Sequence, residues 1–234
     1  MGAPVLTVAA LVAAAALAGG AYLFWRRFWF FRNPRRTPPA EPGLVSPADG
    51  TVVYVRCVQP GEDVVVIKQG LRATVEDILR EDVVEPKLVI GIFMSPFDVH
   101  YNRAPLDAVV RFIHRHPARG GNAYMTAMHW RTLLGREPLA RNSVHIVQNE
   151  RTVTLLEGEY RGAPLPVYVV QIGARTVNGI DSYVREGERV ERGATFGMIR
   201  IGSQVDLIVP LRADLAARVR PGHVVRAGET ILVS

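Results

Sequence analysis

The dipeptide Gly202-Ser203 is the part of the sequence best suited to chemistry. It stands between two runs of β-type apolar residues, within the segment 196–210. A Gly-Ser pair at such a place is typical of a turn. A serine hydroxyl can also attack the carbonyl carbon of the residue before it. Elimination from the resulting ester, followed by loss of ammonia, would leave a pyruvoyl group, an electrophilic ketone made from the chain itself. The rest of the sequence must distinguish the turn from the cleavage site.

Short strands are expected to position this dipeptide. Most of the chain after residue 45 is rich in β-branched and apolar residues that are punctuated by Gly and Pro. One helix is predicted near Val75–Arg80, and residues 121–141 are predicted to hold irregular structure with a short helix. The predicted strands are Thr51–Val55, Val64–Ile67, Leu88–Phe93, Thr152–Leu156, Val167–Ile172 and Val205–Val209.

An internal repeat brackets the Gly-Ser step. The segments 184–195 and 219–230 carry Val, Arg, Gly, Val, Gly and Thr at equivalent positions. Glycines at this spacing suit tight turns between short antiparallel strands, and the pattern resembles the hammerhead hairpins of biotinyl and lipoyl carrier domains. Those carriers present a lysine at a hairpin tip, whereas Lys68 and Lys87 lie outside the repeat. We therefore expect a mainly β (α+β) fold, a barrel or sandwich of hammerhead-like β-hairpin halves, and not a swinging-arm carrier.

The charge and cysteine content limit the classes of partner. The formal net charge is +6, but residues 1–36 carry five arginines and no acidic residue, so the excess is local. No nucleic-acid partner is therefore expected. The single cysteine, Cys57, excludes an internal disulfide and is predicted to be a buried thiol. No Cys/His spacing typical of a metal site is found, so no metal is expected.

The N-terminal segment has the properties of a membrane anchor. No charged residue occurs from Ala3 to Trp25, a length sufficient to cross a bilayer, and arginines and aromatic residues follow. The charge follows the apolar run, the reverse of a secretory signal peptide. The arginine bias places the rest of the chain on the cytoplasmic side of the cell membrane. A helix lying in the interface is the alternative.

Proline content divides the chain further. Four prolines make residues 33–44 a stiff connector, so we expect an anchor at 1–32 and a folded domain at 45–234.

Four segments in this order and spacing resemble the phosphatidylserine decarboxylase family, in its short bacterial and archaeal form. They are FFRNPRRTPP at 30–39, SPADG at 46–50, FMSPFDVHYNRAP at 93–105 and FGMIRIGSQ at 196–204. The likeness extends from the membrane flank to Pro210. It implies a self-cleaving proenzyme, cut between Gly202 and Ser203 into chains 1–202 and 203–234 that stay associated.

The resemblance also implies a lyase activity in phospholipid biosynthesis. Ser203 would become a covalent pyruvoyl cofactor, with no metal, and would form a Schiff base with the amine of phosphatidylserine. Loss of carbon dioxide, protonation and hydrolysis would give phosphatidylethanolamine. Archaetidylserine or a related aminophospholipid is an alternative substrate, and a homo-oligomer is left open. A non-catalytic, membrane-anchored hammerhead-type binding module is the alternative from another class.

The serine needs a base, because a free hydroxyl is a weak nucleophile at neutral pH. Asp49 matches the acidic residue of the family motif and could orient an imidazole, although Asp before Gly is also common in turns. His100 is the first candidate base and a general acid for the decarboxylation; its alternative is a structural strand-end histidine. Many members carry His-x-x-His, with the second histidine as base, but Arg103 occupies that position here. His129 is therefore the second candidate, while the other histidines are expected to be solvated: His114, His116, His145 and His223.

Arg103 could contact the substrate headgroup. A planar guanidinium binds phosphate or carboxylate with two hydrogen bonds, and phosphatidylserine offers both groups. A structural salt bridge with Asp98 or Asp107 is the alternative.

Overall fold

A computed structural model describes residues 2–68, 71–81, 83–175, 179–200 and 202–234. The chain divides into two compact units, Met1–Pro34 and Arg35–Ser234. Each unit is described by itself below.

The first unit is an apolar helix. Helix α1 spans Ala3–Phe24, and a π-helical turn at Trp25–Trp29 follows it. Within the stretch Pro4–Trp29, an 18-residue window has a mean hydropathy of 2.0 and no buried residue, so the helix is long and apolar enough to cross a bilayer. The predicted N-terminal helix is confirmed, while its insertion into a membrane stays a prediction.

The second unit is built mainly from strands. Its described part has three helices, α2 Val75–Leu79, α3 Thr126–Leu134 and α4 His145–Gln148. The strands are β1 Leu44–Val45, β2 Gly50–Val58, β3 Asp63–Lys68, β4 Leu71–Thr74, β5 Lys87–Met94, β6 Tyr101–Arg103, β7 Ala108–His116, β8 Arg151–Tyr160, β9 Ala163–Gly173, β10 Ile180–Ser182, β11 Arg189–Val190, β12 Thr195–Ile199, β13 Ser203–Pro210, β14 Val224–Val225 and β15 Ile231–Val233.

A curled, antiparallel eight-stranded sheet dominates this unit, in the order β11-β7-β8-β9-β13-β5-β2-β14. Both strands that flank β13 pair with it from Ser203 onward. All residues of β5 and β13 are buried, because both faces of the sheet are covered. This burial explains their nearly continuous apolar sequences.

The internal repeat forms the two edges of the sheet. Strand β11 of the first copy pairs with β7, and β14 of the second copy pairs with β2. Although these strands lie at opposite edges of the sheet, the turns of the two copies contact each other. A Cβ on Gly228 would lie 3.5 Å from the Cα of Gly193. These equivalent glycines have φ angles of 75° and 81°, a conformation that disfavours other residues. The repeat therefore gives the sheet an approximate twofold arrangement with β9 and β13 at its centre.

Two hydrophobic cores cover the two faces of the sheet. One contains Met94, Val205 and Leu207 and packs against β1, β12 and β15. The other contains Phe93 and Ile208 and packs against β3 and the three helices of the second unit. Alternate residues of β5 and β13 therefore point into different cores, as the period of a strand requires.

The predicted fold class, strands and helices are confirmed. The prediction for Cys57 was wrong, since its side chain is exposed. It lies in an exposed pair of residues near the end of β2, beyond the part of that strand that both cores cover.

Candidate active site

Ser203 is fully buried at the first position of β13. Its hydroxyl Oγ donates to the thioether Sδ of Met94 at 3.2 Å, across the β5–β13 pair. A thioether is a weak acceptor, so this contact holds the hydroxyl lightly. A stronger base could therefore replace Met94 as the acceptor of the Ser203 hydroxyl proton.

Gly202 combines two properties that favour attack on its carbonyl. Its φ angle is 66°, in the left-handed region that favours glycine. Its carbonyl oxygen accepts a hydrogen bond of 3.1 Å from the backbone N–H of Ala174. This donor would stabilise the negative charge that develops on the oxygen when the carbonyl carbon is attacked.

His100 is fully buried immediately before β6. Its Nδ1 lies 2.9 Å from the carbonyl oxygen of Asp98. Because a carbonyl only accepts, Nδ1 carries the proton in the neutral ring, and Nε2 carries the lone pair that a base needs. The backbone of Asp98 therefore sets a tautomer that suits proton abstraction.

Asp49 binds the connector and the second repeat. Its Oδ2 accepts from Arg36 at 2.9 Å, and its Oδ1 accepts from the backbone N–H of Ala227 at 2.7 Å. Arg36 also binds Glu229 at 2.8 Å. Hence the Asp49 carboxylate links the segment 46–50 to the turn of the second repeat.

A matching contact occurs in the other half of the sheet. Asp107 Oδ1 accepts from the backbone N–H of Arg192, the position equivalent to Ala227 in the first repeat. The segment 104–108, APLDA, resembles SPADG at 46–50. This second duplication was not predicted from the sequence. It shows that an aspartate at this position can hold a repeat turn through a backbone N–H.

Arg103 lies between the two repeat turns and is nearly buried. Its Nη1 donates to the carbonyl oxygen of Gly193 at 2.8 Å, and its Cδ would lie 2.9 Å from a Cβ on Gly228. Burial lowers the pKa of Arg103, the charge of Arg36 lowers it further, and Asp49 and Glu229 oppose the shift. Arg103 thus lies within the charged cluster that surrounds Asp49.

Backbone and side-chain contacts bring these segments together. The carbonyl oxygen of Pro47 accepts from the backbone N–H of Arg103 at 2.9 Å and from the Asn102 amide at 3.3 Å. The same Asn102 amide lies 3.9 Å from Met94 Sδ, the acceptor of the Ser203 hydroxyl. Ile199 binds the carbonyl of His100 through its backbone N–H at 3.2 Å. The segments that carry Asp49, His100, Arg103 and Ser203 are therefore neighbours.

His129 lies on the other side of the sheet. It is in α3, and its ring centroid is 6.3 Å from that of Phe93, which belongs to the core opposite Met94. Ser203 is paired with Met94 and shares its face of the sheet. This geometry favours His100 over His129 as the base.

A buried polar network follows the Gly-Ser step directly, and the sequence analysis missed it. The amide nitrogen of Gln204 donates to the Tyr54 hydroxyl and to Asp206 Oδ1, both at 2.8 Å. The Nε2 of His145 lies 2.8 Å from the Gln204 amide oxygen and acts as its donor. The signal was present in the sequence, because Gln204 and Asp206 interrupt an otherwise apolar strand.

His145 corrects an expectation, since it is buried and not solvated. Burial lowers its pKa to about 4, and burial raises the pKa of Asp206 to about 7 despite the opposing effects of Gln204, Tyr54 and Arg151. The network therefore holds a neutral imidazole and a carboxyl that is largely protonated below neutral pH. Its hydrogen bonds fix the side chain of Gln204, the residue after Ser203.

Asp206→Asn is expected to change how stability depends on pH. The folded protein keeps its Asp206 proton up to about pH 7, while the unfolded chain loses it near pH 4, so the wild-type carboxyl destabilises the fold as pH rises between these values. Asparagine removes this loss. From pH 5 to pH 7 the variant should gain about 2 to 3 kcal/mol of unfolding free energy relative to wild type.

Denaturant unfolding at several pH values would measure this difference, with both proteins carrying Ser203→Ala so that each is one chain. A stability difference that does not vary with pH would contradict a raised pKa at Asp206.

The candidate site offers groups for proton transfer and anion binding. Within the described ranges, no cluster of three or more His, Cys, Asp or Glu side chains could hold a metal ion. The site provides a nucleophilic hydroxyl, an imidazole whose Nδ1 carries the proton, a polarised carbonyl and a guanidinium.

Comparison with known proteins gives a family match over most of the chain. The model of the family described as phosphatidylserine decarboxylase matches residues 23–233. A phosphatidylserine decarboxylase proenzyme of Salinibacter ruber is 35% identical over 207 residues, covering 87% of this chain and 73% of the relative. One from Saccharopolyspora erythraea is 34% identical over 220 residues, covering 93% and 76%.

An archaeal relative carries a different lipid in its name. A Methanopyrus kandleri protein, named provisionally as an archaetidylserine decarboxylase proenzyme, is 37% identical over 208 residues. These residues cover 88% of this chain and 80% of the relative.

Proposed function

The chain belongs to the phosphatidylserine decarboxylase family, and we propose that it is a proenzyme that cuts itself at Gly202-Ser203 and then converts phosphatidylserine to phosphatidylethanolamine. One observation carries the proposal. The buried Ser203 hydroxyl directly follows a Gly202 carbonyl whose oxygen accepts a hydrogen bond from the backbone N–H of Ala174. The word proenzyme in the names of the relatives supports self-processing.

Self-cleavage needs only groups of this chain and water. His100 Nε2 takes the Ser203 hydroxyl proton as Oγ attacks the Gly202 carbonyl carbon, and the peptide C–N bond breaks to leave an ester and a free amine. Loss of the Ser203 α-proton then expels the Gly202 carboxylate and leaves dehydroalanine. Its imine tautomer is hydrolysed by water, which releases ammonia and leaves the pyruvoyl group at position 203.

The position of Ser203 fits this group. When formed, the pyruvoyl group would supply an electrophilic ketone for the lipid amine and an electron sink for the pair released with carbon dioxide. Residue 203 is held by strand pairing on both sides, and Gln204 is anchored by three hydrogen bonds. These contacts would keep the new chain end in place after the bond to Gly202 is broken.

His100 and Arg103 have the remaining roles in this proposal. His100 is assigned the proton transfers, because its tautomer is fixed by the Asp98 carbonyl. The guanidinium of Arg103 is assigned the phosphate or carboxylate of the headgroup. Asp49, which binds Arg36 and Ala227, would keep the segment 46–50 in position beside them.

Arg103→Lys is expected to raise KM for the phospholipid about 10-fold or more while self-cleavage continues. Lysine keeps the charge but loses the planar pair of donors, and a hydrogen bond to a charged group contributes about 1.5–3 kcal/mol. Steady-state kinetics on detergent-dispersed phosphatidylserine would measure the effect. Loss of self-cleavage together with a lowered unfolding temperature would instead show that Arg103 is structural.

The location and the partners follow from the same proposal. The N-terminal apolar helix would anchor the chain in the cell membrane, with the arginines and the decarboxylase domain on the cytoplasmic side. The lipid substrate stays in the bilayer, so anchoring keeps the enzyme beside it. After cleavage, the chains 1–202 and 203–234 would remain associated through the sheet.

The decisive experiment incubates the purified protein with phosphatidylserine and with archaetidylserine, and follows carbon dioxide and the amine product. The two lipids share the reacting headgroup, so a difference between their decarboxylation rates would come from their tails. Intact mass spectrometry of the same sample should show two chains. An unsplit chain with an ordinary Ser203 would overturn the proposal.

A further inference from the structure

Helix α3 presents an apolar face to solvent. Trp130, Leu133 and Leu134 follow the i, i+3, i+4 spacing of one helix face, and each is more than half exposed, as is Tyr124 just before the helix. We call these four residues the α3 face. In a soluble domain such large apolar side chains would normally point inward.

The opposite side of α3 is firmly attached to the domain. Met128 is 1% exposed within the core, and the Nε of Arg131 donates to the carbonyl oxygen of Leu139 at 2.9 Å. The orientation of the helix is therefore fixed, and exposure of the α3 face is a property of the folded domain.

The charge around the α3 face is positive. Residues 118–141 contain four arginines and one acidic residue, Glu137. The guanidinium of Arg175 lies 5.1 Å from the centroid of the Tyr124 ring. Exposed aromatic and aliphatic residues bordered by arginine are typical of segments that enter the interface of an anionic bilayer.

The α3 face is connected directly to the cleavage site. The backbone N–H of Arg175 donates to the carbonyl of Ala123 at 3.1 Å, and the adjacent N–H of Ala174 donates to the carbonyl of Gly202. Two neighbouring backbone hydrogen bonds thus join the start of this face to the scissile peptide.

We propose that the α3 face inserts into the interfacial layer of a lipid bilayer beside the active site. This inference rests on the proposed function, because a substrate whose tails stay in the membrane must present its headgroup close to residue 203. A second copy of the chain is a poorer occupant. A standard protein interface needs about 20 to 30 residues on each side, and four side chains bordered by arginines do not supply it.

A local probe is needed, because the N-terminal apolar helix could by itself bring the chain to vesicles. The chain has three tryptophans, so replacing Trp25 and Trp29 with Phe leaves Trp130 as the sole emitter. The full chain is reconstituted into phosphatidylcholine–phosphatidylglycerol vesicles with brominated acyl chains. We expect quenching and a blue shift of Trp130 emission.

Trp130 emission that stays unquenched in the vesicles would overturn the inference. A blue shift that appears without lipid and grows with protein concentration would also overturn it, because it would show that α3 contacts a second copy of the chain. These vesicles contain no substrate, so the result does not depend on decarboxylase activity. Failure of the proposed function and failure of the inference are therefore distinguishable.

The functional test replaces Leu133 and Leu134 with Glu. We expect unchanged self-cleavage, an unchanged rate on monomeric short-chain phosphatidylserine, and a rate on phosphatidylserine vesicles lowered at least 10-fold. Val84→Glu is the matched control, since Val84 is also an exposed aliphatic residue but lies far along the chain from α3. An unchanged vesicle rate would overturn the inference, and so would equal losses on both substrate forms.

Discussion

Ser203→Ala should leave the protein as one uncut chain of 25.8 kDa with no decarboxylase activity. Alanine has no hydroxyl to attack the Gly202 carbonyl, and no pyruvoyl group can form from it. Intact mass spectrometry of the wild type should show two chains. The 203–234 chain should be lighter by one ammonia than the same peptide with an N-terminal serine. The variant should show neither.

The fold should survive this change, because the Ser203 hydroxyl makes only a weak contact with Met94. Thermal unfolding of the variant would confirm that the loss is chemical. Ser182→Ala, a serine in the neighbouring three-stranded sheet, serves as the control and should cleave normally. Decarboxylation by the alanine variant would exclude Ser203 as the source of the cofactor.

His100→Ala should slow self-cleavage by about 100- to 10,000-fold, the range typical for loss of a general base. The carbonyl of Asp98 holds Nδ1–H, so Nε2 is the ring nitrogen able to accept the serine proton. The rate is followed by the appearance of the 203–234 chain on gels after synthesis in a cell-free system. Added imidazole should restore part of the rate, which a purely structural role would not allow.

His129→Ala is the matched control and should cleave at the wild-type rate, because its ring packs beside Phe93 on the opposite face of the sheet. Normal cleavage by His100→Ala with slow cleavage by His129→Ala would reverse the assignment. That outcome would mean that α3 moves before the peptide bond is attacked.

Local sequence patterns predicted the strands and α2 well. The runs Leu88–Phe93 and Val205–Val209 are continuous and apolar because both of their faces are buried, and this signal is strong in a single sequence. The repeat at 184–195 and 219–230 was also visible. Its position at the two edges of one sheet was not, because strand order depends on long-range pairing.

The candidate site was predicted in part for the same reason. Motif spacing selected Ser203 and His100 as candidates, but it could not show that Asp98 contributes its backbone carbonyl. The chain neighbours of His145 predicted a solvated ring, whereas His145 is buried and hydrogen-bonded to Gln204 on a distant strand. Asp49 matched a motif, and only the folded arrangement revealed the parallel contact of Asp107.

With the proposed cut at Gly202-Ser203, the central position of β13 would make folding of this protein irreversible. Strand β13 is paired on both sides, and the edge strands β14 and β15 follow it on the same side of the scissile bond. Before the cut, folding is a first-order event within a single chain. After it, any unfolded molecule could recover only by a second-order encounter of two fragments, one of them with a modified end. The lifetime of the mature enzyme is therefore expected to be set by its unfolding rate, and each molecule has one opportunity to reach its native state.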